Sequence, residues 1–100
     1  MNIVREVKNK LDNLVKENDV ILFGSRARGD HKPDSDWDFL ILLNQAKVTK
    51  MDKMKIREEL YEIELETGAI ISSIIHTKSE WENRAVTPIY QIISEEGIRA

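Results

Sequence analysis

The chain has 100 residues, 41% hydrophobic and 33% charged, the make-up of a folded domain with one core and not of a disordered segment. Fifteen Lys and Arg against 18 Asp and Glu leave a formal charge of −3, the wrong sign for gripping duplex nucleic acid by general charge. The absence of cysteine excludes a disulfide scaffold, a thiolate zinc site and a cysteine nucleophile.

The N-terminal segment MNIVREVKNKLDNLV is charged and amphipathic and has no apolar signal core. The longest apolar runs, Val20–Phe23, Phe39–Leu43 and Ala69–Ile71, are far short of the ~20 residues that span a membrane. A cytoplasmic protein is expected, with no membrane partner, built as a single domain over residues 1–100. Val4, Val7, Leu11 and Leu14 recur at helical spacing and predict an amphipathic helix from about Asn2, a capping residue, to Glu17. Val20 to Phe23 reads as a buried strand ended by Gly24, and a polar loop follows from Ser25 to Ser35. Asp36 to Leu43 reads as a second strand. Thr49 and Asp52 have capping-box spacing for a helix that runs to about Glu66, with Ile56, Leu60 and Ile63 inward.

Gly68 ends that helix, and Ala69–His76 makes a third strand. Thr77-Lys78-Ser79-Glu80 is a second capping box, opening a short helix that carries Trp81 and Arg84. Thr87-Pro88 opens the last helix and Gly97 closes it. The expected fold is α/β (α+β): a small mixed β-sheet flanked by helices, in the order α-β-(loop or short helix)-β-α-β-α-α.

The chemistry concentrates between Gly24 and Asp38. A Gly-Ser turn after a buried strand points backbone N–H groups outward and favours a phosphate, with the Ser25 hydroxyl as a further donor. Asp36 and Asp38, two apart in a strand, leave the same face, where their mutual repulsion is relieved by a divalent cation. Leu40 and Leu42 continue that face, while Trp37, Phe39, Ile41 and Leu43 take the other. An isolated Asp-x-Asp is mostly surface decoration; strand placement and the linked Gly-Ser turn argue for function here. Two other anion-loop readings fail. Gly24-x-x-x-x-Gly29 has Asp30 where a P-loop needs Lys. Asp34-x-Asp36-x-Asp38 has Phe39 where a calcium loop needs Gly, and Gln45 where it needs Glu.

Gly24-Ser25, ten residues, then Asp36-Trp37-Asp38 resembles the signature of the nucleotidyltransferase superfamily that includes DNA polymerase beta. The fuller run GSRARGD…SDWDFLI in so short a chain closely resembles the minimal nucleotidyltransferases. The resemblance implies transfer of a nucleoside monophosphate from an NTP to an acceptor hydroxyl, with AMP and ATP the expected pair. It implies that Gly24 and Ser25 grip the triphosphate and that Asp36 and Asp38 bind two Mg²⁺ ions. Many such proteins are antitoxins paired with a HEPN-type RNase toxin, and some adenylylate a toxin tyrosine, so a partner protein of that kind is implied.

The family places a third carboxylate on the next strand. Here there is no acid between Glu66 and Glu80, and counting back from Thr77–Trp81 puts the missing position at Ser72, with Ser73 the second choice. Serine neither holds Mg²⁺ by charge nor takes a proton at neutral pH. Two readings follow: a working Mg²⁺-dependent nucleotidyltransferase, or a catalytically impaired nucleotide- and partner-binding antitoxin or regulator on the same fold.

Arg26 and Arg28 are candidates for neutralising triphosphate oxygens, against the plainer reading of solvated loop charges. His31 and Lys32 read as exposed. His76, four residues past Ser72, shares its strand face and is either a substitute base or, more often for a strand-end histidine, structural. Trp37, Trp81 and Tyr90 read as core or partner-facing aromatics. The charged run from Lys50 to Glu66 reads as a solvated helix face, with partner docking as the minority alternative.

Overall fold

Asn2 accepts a hydrogen bond from the Arg5 N–H at 3.1 Å and so caps helix α1 (Ile3–Leu14), the first element of a computed structural model that describes residues 2–100. Seven further elements form the body of the fold: strand β1 (Asn18–Phe23), helix α2 (Ser25–Arg28), strand β2 (Trp37–Leu43), helix α3 (Lys50–Thr67), strand β3 (Ile71–Thr77), helix α4 (Lys78–Glu82) and helix α5 (Pro88–Glu96). A two-residue strand, β4 (Ile98–Arg99), completes the order.

The sheet is mixed, in the order β3-β2-β1-β4. The short loop after α2 returns β2 antiparallel to β1, whereas the 18-residue α3 carries the chain over the sheet and sets β3 parallel to β2. β2 is central, and its residues Phe39 to Leu43 are all buried, as a strand covered on both faces must be. On one face Phe39, Ile41 and Leu43 join Val20, Leu22 and Ile75 beneath Ile3, Val7 and Leu11 of α1 and Ile56, Leu60 and Ile63 of α3. On the other, Leu40 and Leu42 pack against Trp81 of α4 and Ile93 of α5. The ring of Trp81 lies between His76 and Tyr90, with centroids 6.1 and 5.2 Å away. Truncating a residue as enclosed as Phe39 would cost about 3–5 kcal/mol, through lost transfer energy and the cavity left behind.

Both expected capping boxes form. Thr49 and Asp52 bond reciprocally at 3.1 and 2.9 Å, and Thr77 and Glu80 at 3.0 and 2.8 Å. Pro88 sits in the first turn of α5 behind its cap Thr87.

Five boundaries differ from the expectation. α4 ends at Glu82 with Asn83 as its cap, and so carries Trp81 but not Arg84. α1 stops at Leu14 instead of Glu17, because Val15 is already extended and β1 begins at Asn18, two residues before Val20. The Asn18 side chain, held by Lys8, Asp12 and the Val15 carbonyl at 2.9–3.0 Å, ties that start to α1. β3 runs over Ile71–Thr77 instead of Ala69–His76. Asp36 lies just before β2, whose ladder opens with the Trp37 N–H donating to the Ile70 carbonyl at 2.9 Å. β4 was not foreseen. It pairs with β1 at Ile21–Arg99 and Leu22–Ile98, and two residues carry too short a pattern to read.

Candidate functional site

Gly24 follows β1 with φ +78°, a conformation in the region that favours glycine, and opens α2. Its carbonyl accepts from the Ala27 and Arg28 N–H groups at 3.0 and 3.1 Å, which winds the turn. No side chain of its own first turn caps α2, which leaves the place of a capping acceptor open to an anion.

Antiparallel register puts Phe23 opposite Asp38, so the Gly24 turn and the Asp38 carboxylate meet at one end of the sheet. Their contact is close enough that a Cβ on Gly24 would overlap Asp38 Oδ2. Burial, and then the charge of Asp36, push the Asp38 carboxyl above the usual range, while Arg28 opposes them and Glu96 adds to them. The exposed Asp36 and the partly buried Asp38 thus stand close enough for their charges to repel.

Parallel register places Ser72 opposite Asp38, and the Ser72 hydroxyl donates to Asp36 Oδ2 at 3.4 Å. Ser72 therefore faces the aspartates. Ser73 turns to the α3 side by strand alternation, with Ile71 and Ile75. Among the described residues no group of three or more His, Asp or Glu is placed to hold a metal. A converging, mutually repelling carboxylate pair with a hydroxyl beside it is nonetheless a donor set suited to a hard divalent cation that keeps water and phosphate ligands.

The two loop arginines part company. Arg26 stacks its guanidinium 4.4 Å from the centre of the Trp37 ring and donates to the Pro33 and Ser35 carbonyls, both at 3.1 Å. Through these contacts it clamps the loop that delivers Asp36. Arg28 pairs with Asp30 at 3.1 Å and with Glu96 at 2.9 Å. Glu96, at the end of α5, also accepts from the Gly24 N–H at 3.4 Å. Glu96 carries no sequence signal for the site, because 72 residues separate it from Gly24 and no local motif marks it.

His76 shares the face of Ser72 but pairs with Leu42, four residues along β3, about 13 Å at strand rise. It stacks on Trp81, and burial and then Arg84 push its pKa down. Its place is the α4 core, away from the carboxylates. His31 and Lys32 are exposed. No helix among the described residues is long and apolar enough to cross a membrane.

The chain is similar to known proteins over most of its length. A family model described as a nucleotidyltransferase domain matches residues 4–98. A protein of Methanocaldococcus jannaschii, provisionally named a protein adenylyltransferase, is 37% identical over 81 residues, covering 79% of this chain and 81% of its own length. A second from the same organism, with the same provisional name, is 29% identical over 94 residues, covering 94% and 86%. Among solved structures, a toxin–antitoxin crystallised with AMP-PNP superposes with TM-score 0.67 at 14% identity, over 99% of this chain and 72% of that one. A mutant of the toxin–antitoxin MntA–HpeT superposes at 0.65 and 12%, over 99% and 71%. At these identities the two structures establish the fold.

Proposed function

Because this chain belongs to the nucleotidyltransferase domain family, we propose that it transfers AMP from ATP to a hydroxyl of a partner protein. The observation that carries the reading is the meeting of the Gly24–Ser25 turn with Asp36 and Asp38 at one end of the sheet. A protein acceptor is supported by the name of the M. jannaschii relatives, and ATP by the AMP-PNP of the structural neighbour. A partner of the toxin kind, HEPN-type in our reading, is supported by both neighbours being toxin–antitoxin proteins.

In this reaction the acceptor oxygen loses its proton to solvent and bonds to the α-phosphorus, while the bridge to the β-phosphate breaks and releases pyrophosphate. The Gly24 turn and Ser25 would hold the triphosphate, with Arg28, which Glu96 links to the Gly24 N–H, as a neighbouring cation. Asp36 and Asp38 would hold two Mg²⁺ ions, the pair of carboxylates supplying the protein's charge to them. Bound Mg²⁺ would neutralise phosphate charge and make the acceptor hydroxyl easier to deprotonate. Arg26 serves the site by fixing the 33–35 loop against Trp37, which sets where Asp36 stands.

A second reading rests on Ser72. Where the resemblance implies a third carboxylate there is a hydroxyl donating to Asp36, which favours an antitoxin or regulator that binds nucleotide and partner with little or no transfer. Incubation with α-³²P-labelled ATP, Mg²⁺ and a HEPN-type protein encoded beside this one distinguishes the two. Label on the partner supports the enzyme, and Mg²⁺-dependent ATP binding without label supports the binding module. Absence of both would overturn the nucleotide reading.

A further inference from the structure

We propose that Glu96 is an internal stand-in for a phosphate: its carboxylate occupies donors of the triphosphate site, and nucleotide must displace it. The inference rests on the nucleotide-binding reading above and concerns what sets affinity there. Glu96 Oε1 accepts from the Gly24 N–H at 3.4 Å and Oε2 accepts from Arg28 Nη1 at 2.9 Å. One backbone donor at the turn and one guanidinium are what a phosphate group would take, and a carboxylate offers the same two-oxygen acceptor edge.

The placement is built into the fold. Glu96 is the last residue of α5, and its side chain is only 14% exposed. The next residue, Gly97, is packed so closely that a Cβ would lie 2.7 Å from Ile21 Cγ2 and 2.5 Å from the Ile93 carbonyl oxygen. Beyond it β4 pairs with β1, and the Ala100 N–H donates to the Val20 carbonyl at 2.8 Å. The backbone on both sides of Glu96 is held, so release of the two donors is a rotation of one side chain. Its charge also stands near Asp38, so turning it away removes a third negative group from the path of an incoming polyphosphate.

The competing account makes Glu96 an ordinary tie between α5 and α2 through Arg28. The two differ in sign. Calorimetric titration of the full chain with ATP, and separately with inorganic tripolyphosphate, both in excess Mg²⁺, gives the test. Glu96→Gln and Glu96→Ala should each bind both probes at least tenfold more tightly than the parent. Asp30→Asn removes an equal charge from Arg28 without freeing the Gly24 N–H, and should stay within about twofold. The proposal is overturned if the Glu96 variants bind no tighter, or if Asp30→Asn gives the same gain. Weaker binding by both Glu96 variants beside a binding parent would instead make Glu96 part of the cation site, leaving the nucleotide reading intact. If neither parent nor variants bind either probe, that reading fails and this inference with it.

Discussion

The carboxylate of Asp38 rests against the backbone of Gly24, so close that a Cβ on Gly24 would overlap Oδ2 and lie 3.2 Å from Cγ. Two motif residues 14 positions apart in sequence are thereby one steric unit. The glycine is required twice, for its φ of +78° and for the room it leaves the acid.

Gly24→Ala should therefore cost more than Gly29→Ala, although both glycines have positive φ. Gly29 has nothing within 4 Å of a built Cβ and should lose only about 1 kcal/mol to backbone strain. At Gly24 strain adds to overpacking, for a total of about 2–4 kcal/mol. Thermal unfolding of the two variants checks the order, and Mg²⁺–ATP binding should fail in Gly24→Ala alone.

Asp36→Asn and Asp38→Asn should leave metal-free stability unchanged or slightly raised while abolishing Mg²⁺–ATP binding. The sign follows from Asp38, whose raised pKa means the folded state prefers the protonated form. That contribution is present below the unfolded value near 3.8 and is lost as pH rises through the folded value. The advantage of Asp38→Asn should accordingly appear at neutral pH and vanish in acid. A loss of ~2 kcal/mol or more at neutral pH would show the pair to be structurally partnered.

ATP should stabilise the parent only in the presence of a divalent cation, since the triphosphate and the aspartate pair repel each other without one. By mass action the gain reaches ~2.7 kcal/mol at 100 times the dissociation constant. Thermal shift with ATP in Mg²⁺ against ATP in excess EDTA measures it, and equal shifts would refute the cation bridge.

Ser72→Asp should complete a three-carboxylate site, tighten Mg²⁺ binding and raise nucleotidyl transfer above the parent. It should also lower metal-free stability, since a third like charge joins two. Ser73→Asp is the control, because its side chain turns to the α3 face and should leave Mg²⁺ affinity unchanged. Equal Mg²⁺ gains from both would contradict the register of Asp38 with Ser72.

His76, held neutral chiefly by burial, should make the fold acid-sensitive above the carboxylate range. A lowered folded pKa means the stabilisation is complete above the unfolded value near 6.5 and drains away as pH falls through that value toward the folded one. Unfolding midpoints between pH 8 and 5 should drop more in the parent than in His76→Phe.

Local physics was enough for every element type except β4, for the capping residues Asn2, Thr49, Thr77 and Thr87, and for the two-faced burial of Phe39 to Leu43, because periodicity and caps act within a few residues. The same short range carried Gly24, Ser25, Asp36 and Asp38 as a candidate cluster, since strand, turn and strand follow one another. That a third carboxylate is missing came from the family resemblance; counting back from Thr77–Trp81 located it at Ser72, with Ser73 second, and strand alternation then gave its facing. What needed the tertiary structure was every relation made by chain crossing. The Trp37 stack turned Arg26 into a loop clamp, and the core of α4 took His76 away from the acids. The end of α5 brought Glu96 to the Gly24 turn. Those contacts join residues up to 72 apart, and a side chain's partner at that separation is decided by how helices settle on the sheet, which no local pattern encodes.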